Sequence, residues 1–136
     1  MLWRYTENQR NFPGWHLTAD PAGCASLIAL LDAFAADGTP SSRTLTVTAP
    51  TQAALAVPNN RSAAPVAPAK LRISLSPAAT EWSFPQSINP AELSVGADWL
   101  PVLRQAIAGI PQGKGDYSIG PSDSGSLWLW WQPAAA

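Results

Sequence analysis

The chain has one cysteine, one histidine, few charges and no long apolar run. Because Cys24 has no second cysteine to pair with, an internal disulfide is excluded, and so is any zinc or iron–sulfur centre built on several thiolates. His16 is equally alone, and the carboxylates Glu81, Glu92, Asp98, Asp116 and Asp123 match no calcium-loop or acid–base spacing. No bound metal or cofactor is expected. Gly109 and Gly113 have three residues between them where a phosphate-binding loop has four, and Gly115 stands where that loop needs a hydroxyl, so turn chemistry accounts for these glycines.

Charged residues make up 12% of the chain, against a typical share of about 25%. Eight basic and nine acidic side chains leave a net charge of −1. A nucleic-acid surface needs clustered cations to displace counterions from phosphates. Lys70 and Lys114 are the only lysines and the arginines are scattered, so no nucleic-acid partner is expected. The best apolar stretch, Ala25 to Leu31, is far shorter than the roughly 20 residues a bilayer span requires. The opening residues Met1 to Glu7 lack the apolar centre of a secretory signal. The expected address is cytoplasmic, away from membranes.

What is present is enough for one domain over residues 1–136, with a core that needs no metal or disulfide. Fourteen prolines are about twice the average share, whereas nine glycines are ordinary, so the excess belongs to connections. The longest is an alanine- and proline-rich surface connection at about 49–69, in which only Gln52 to Val57 could form a helical turn. Before it, Asp20 and Pro21 mark a helix start, an apolar stripe of Cys24, Leu27, Ile28, Leu31, Phe34 and Ala35 predicts a helix to about Ala36, and Gly38 is its stop. Arg43 to Thr48 and Lys70 to Ser76 alternate as half-buried strands. A loop carrying Trp82 and Phe84 leads to Asp98, read as the cap of a second, shorter helix with Leu100, Leu103, Ala106, Ile107 and Ile110 on its apolar side. Asp116 to Ile119 and Leu127 to Trp131 predict two further strands, and Leu2 to Tyr5 could add another. The expected class is α+β: one antiparallel or mixed sheet of about four to five strands with two helices packed on one face.

Seven tryptophans are the main departure from an ordinary composition. In the last strand, alternation sends Leu127, Leu129 and Trp131 toward the core and Trp128 and Trp130 to the opposite face. On a single sheet that face would also carry Thr44, Thr46, Thr48, Arg72 and Ser74, with Trp3 and Tyr5 if the opening segment joins the sheet. Indole rings among hydroxyls and a guanidinium suit an interface. The expected function is a small binding or protein-interaction module using Trp128, Trp130, Arg72 and Thr46, with a protein partner or a second copy favoured over a small ligand. The competing expectation is that the 49–69 segment or the Trp82 loop folds over the rings, leaving a structural face. Alternatives are a structural subunit of a larger assembly, or a small enzyme using Cys24 and His16 with Asp20 between them. Against the enzyme, Cys24 shares its stripe with Leu27, Ile28 and Leu31 and reads as a core filler.

Overall fold

A computed structural model of the chain describes residues 1–5, 13–58, 64–121 and 125–131. The first helix, α1 (Pro21–Asp37), begins as its sequence requires: Asp20 accepts the Gly23 amide at 2.7 Å, and Pro21 occupies the first turn. It stops at Gly38, which has φ 70° and returns its amide to the Phe34 carbonyl. α2 (Gln52–Ala56) is a short helix capped by Thr51. α3 (Leu100–Gly109) follows a 3-10 turn at Ala97–Trp99. Asp98 lies inside that turn and makes no capping hydrogen bond, contrary to the expectation from its position. A second 3-10 turn extends α3 to Gln112, and Gly113, with φ 78°, closes it in the left-handed conformation.

The strands are β1 (Leu2–Tyr5), β2 (Trp15–Leu17), β3 (Ser41–Thr46), β4 (Pro65–Val66), β5 (Lys70–Leu75), β6 (Trp82–Ser83), β7 (Ala91–Val95), β8 (Tyr117–Ile119) and β9 (Leu127–Leu129). The class is α+β, but the strands form two mixed sheets where one was expected. The first sheet runs β4-β1-β2-β9-β8 and the second β3-β5-β7-β6, with parallel pairs at β2–β9 and β5–β7. The division arises because β7, in the stretch expected to be loop, pairs with β5 and keeps it away from the aromatic strands.

One core joins the inner faces of both sheets to α1 and α3. Leu2, Trp15, Leu17, Leu127 and Leu129 enter it from the five-stranded sheet, and Leu71, Ile73, Leu75, Leu93 and Val95 from the four-stranded sheet. Cys24, Leu31 and Phe34 from α1 and Leu103, Ala106 and Ile107 from α3 complete it. Trp131, expected in this core, lies beyond the end of β9 and is 36% exposed. No described helix is long and apolar enough to cross a membrane.

α1 and α3 are also tied on the outside, where the Arg104 guanidinium donates to both carboxylate oxygens of Asp32, the shorter contact being 2.8 Å. That hydrogen bond holds the Asp32 carboxyl below its usual range. A carboxyl with a lowered folded value contributes stability above its unfolded value of about 3.9 and loses it as pH falls through the folded value. Asp32→Asn should therefore unfold at lower denaturant concentration than the parent chain at pH 7. The two should converge in acid, as urea titrations at a series of pH values can show.

Candidate functional site

The outer face of the five-stranded sheet carries the aromatic residues. Strand register places Trp3, His16 and Trp128 side by side across β1, β2 and β9. Ring planes lie within 15° of parallel from Trp3 to His16, His16 to Trp130 and Trp130 to Trp128, with centroids 5.5, 6.1 and 6.0 Å apart. Tyr5 meets His16 edge-on at 5.0 Å. His16 is fully buried, and its Nδ1 accepts the Trp130 indole N–H at 2.9 Å. An indole nitrogen only donates, so Nδ1 is the bare nitrogen and the proton of the neutral ring sits on Nε2.

This face is largely closed by the chain itself. Ala54 and Leu55 of α2, with Val57 and Ala67, pack on Trp3, Tyr5 and Trp130. Trp130 is 2% exposed, while Trp128 is half-buried and donates its indole N–H to the Pro13 carbonyl at 2.9 Å. The proline-rich segment that was expected to be a surface connection thus supplies a cover through α2 and an added strand through β4; residues 59–63 of it lie outside the described residues.

Arg72 and Thr46 are on the other sheet, so the four residues singled out from the sequence do not form one surface. The outer face of the four-stranded sheet has a row of serines in register, Ser42, Ser74, Ser94 and Ser83, one from each strand. The next rows are Thr44, Arg72 and Glu92, then Thr46 and Lys70. Arg72 leans toward β3, its Nε donating to Ser42 Oγ at 2.9 Å. Ser42 Oγ is also 3.2 Å from Ser74 Oγ.

β3 is the end strand of this sheet, and none of the described residues pairs with its far side. Beyond its last residue, the Val47 amide bonds to the Ala69 carbonyl at 3.0 Å. In an antiparallel pair the bonded positions alternate. Ser41, Arg43 and Leu45 therefore spend their amides and carbonyls on β5, and Ser42, Thr44 and Thr46 turn theirs outward. The same residues present their hydroxyls on the outer face. Beside the end of β3 lies a groove of about 450 Å³ that includes Leu17, Leu27, Leu45, Thr46, Val47 and Leu71 in its lining, with Gly23 and Ser26 on its α1 wall. Asp20 lies at its rim, its carboxylate already engaged in capping α1.

A second groove, of about 510 Å³, runs between α3 and β8 and includes Val102, Gln105, Gln112, Lys114, Tyr117 and Ile119. Burial pushes the Tyr117 hydroxyl above its usual range. β8 has only three residues, half the six of β3, and so offers an added strand fewer backbone partners.

The Cys24 and His16 side chains are on opposite sides of the five-stranded sheet: Cys24 belongs to the shared core and His16 to the aromatic layer. Burial raises the thiol above its ordinary value, helped by the nearby Asp20 charge, and Sγ contacts the Ala19 carbonyl at 3.6 Å. Among the described residues no cluster of His, Cys, Asp or Glu could hold a metal ion. The signal sequence reading missed was β7, whose alternation Ala91, Leu93, Val95 against Glu92 and Ser94 places Glu92 beside Arg72.

Two outcomes follow. Iodoacetamide should label Cys24 slowly in the native protein at neutral pH and rapidly once the protein is unfolded, because only the thiolate reacts. Trp130→Phe keeps an aromatic ring in the stack but removes the donor to His16 Nδ1 and part of the ring area, so urea melts should show a loss of at least about 1–3 kcal/mol. No family model, no curated protein and no solved structure matches this chain.

Proposed function

We propose that the chain is a protein-interaction module that captures an extended segment of a partner along β3. The observation that carries this reading is the six-residue end strand whose outward backbone positions, Ser42, Thr44 and Thr46, face away from β5 beside the groove lined by Leu45 and Val47; of these, the Ser42 carbonyl accepts from Arg43 Nη1. A strand added to a sheet edge draws affinity from main-chain hydrogen bonds and specificity from side-chain pockets. Here the backbone positions of β3 supply the first. The groove, in the 300–1,000 Å³ range of about the size that holds small apolar groups, supplies the second.

The aromatic face supports the reading indirectly. Its rings are occupied by α2 and by each other, so the large apolar area that would drive association there is already out of water. On the hydroxyl face, Thr46 of β3 and Arg72 of the adjoining β5 belong to the proposed surface, whereas Trp128 and Trp130 serve the aromatic layer beneath α2.

Thr44→Pro is a selective test. Proline cannot donate a backbone hydrogen bond, yet it is tolerated on an edge strand where the amide faces solvent. The Thr44 amide points away from β5, so the substitution removes the central donor and leaves the β3–β5 hydrogen bonds in place. A phage-displayed library of random heptapeptides selected on the parent chain should enrich clones that Thr44→Pro fails to hold, with the circular dichroism of the variant unchanged. Failure to enrich any clone, or enriched clones that bind both proteins equally, would refute strand capture at β3.

A further inference from the structure

We propose that β3 selects an acidic extended segment, recognised by cations on both sides of the incoming strand; this rests on the strand-capture reading. Arg43 occupies a position on β3 whose side chain alternates with the hydroxyls, on the face shared with Leu45. It is exposed, and its Nη1 donates to the neighbouring Ser42 carbonyl at 2.8 Å. On the outer face the Arg72 side chain reaches from β5 to Ser42 on the end strand, and Lys70 stands opposite Thr46. An added strand would thus have one guanidinium on its helix side and a second cation group on its outer side. Against these three cations stand two carboxylates, Glu92 on the outer face, a strand further from the edge, and Asp20 at the groove on the helix side, which is engaged in capping α1.

The same placement argues against a second copy as the occupant. Two β3 strands paired antiparallel about Thr44 would put Arg43 opposite Leu45 of the other chain, and the two Arg43 side chains on one face at diagonal positions, which lie roughly 7–8 Å apart. Burying like charges that closely destabilises the pair, and a charged side chain turned toward the core side of an edge strand is a recognised guard against sheet-to-sheet association. An acidic segment reverses the sign of this term. Arg43 can release the Ser42 carbonyl to the incoming backbone and form a charge-assisted hydrogen bond with a carboxylate in exchange.

The partner is therefore an extended stretch with carboxylates on both faces, one opposite Arg43 on the helix side and others at adjoining positions toward Arg72 and Lys70. A helix-side apolar residue two places from the acid opposite Arg43 would lie over Leu45 and the groove. The contacts are solvent-facing, so binding should weaken as salt is raised and the charges are screened.

The probes are two acetylated and amidated heptapeptides, one a threonine peptide with adjacent central glutamates and the other with adjacent central lysines so that both strand faces carry charge, titrated into the isotope-labelled full chain. Amide shifts at Ser42, Thr44 and Thr46 are expected with the glutamate peptide, with binding on the order of tenfold tighter than for the lysine peptide. Arg43→Thr should erase most of that preference, and sedimentation should show the parent chain as a monomer at the titration concentration. Equal binding of the two peptides, tighter binding of the lysine peptide, or a parent dimer whose shifts map to β3 overturns the proposal. If neither heptapeptide binds while displayed clones still require the Thr44 amide, acidic selection fails and strand capture stands. Loss of both removes the parent reading as well.

Discussion

A hydrogen bond from the Trp130 indole to His16 Nδ1, wholly out of water, fixes the centre of the five-stranded sheet. It joins the end of β9 to β2 across a parallel pair and holds His16 between two indole rings. A buried imidazole with an unmet nitrogen costs about 1–3 kcal/mol, so this bond is the condition for placing a polar residue in the middle of the sheet. With it satisfied, β2 can be buried on both faces, Trp15 and Leu17 in the shared core and His16 in the aromatic layer.

That arrangement decides what the rest of the chain must cover. A sheet with large aromatic residues on its outer face needs a second layer, and α2 with the residues that follow it supplies one through Ala54, Leu55, Val57 and Ala67. Among the described residues the four-stranded sheet has no such cover, and its outer face is made of Ser, Thr, Arg, Lys and Glu, which water already satisfies. An amphipathic sheet with one face packed and the other solvated is the ordinary outcome for such alternation. The working surface proposed for the protein follows from this unequal cover, since β3 remains at the open end of the sheet that receives none.

Five strands were legible in the sequence: Leu2 to Tyr5, Asp116 to Ile119 and Leu127 to Trp131 overlap β1, β8 and β9, and the other two have one wet face. Arg43 to Thr48 and Lys70 to Ser76 alternate cleanly and correspond to β3 and β5. β2 gave no alternation, because all three of its residues are buried, and a lone histidine after Gly14 and Trp15 read as turn chemistry. β7 did alternate, but it is short and follows Pro85 and Pro90, which favoured loop. Missing it merged two sheets into one and brought Arg72 and Thr46 onto the face of Trp128 and Trp130. The helices were recovered more readily, since α1 has its Asp20 cap, Pro21 and a Gly38 stop in order, and each of these acts within a few residues.

Residue order alone established the α+β class, the exclusion of an internal disulfide or a metal site built on several cysteines, the inward and outward sorting of Leu127 to Trp130, and the rarity of charge. Those properties depend on composition or on the fixed period of a helix or strand, which neighbours along the chain determine. Which strands pair, which aromatic rings are covered, and which edge stays open were decided only by tertiary structure. They depend on contacts between residues far apart in the chain, such as β5 with β7 or α2 with Trp130, and no local pattern specifies the partner of a strand. Cys24 and His16 illustrate the difference: eight positions apart and suggestive on paper, they are separated by the sheet that runs between them.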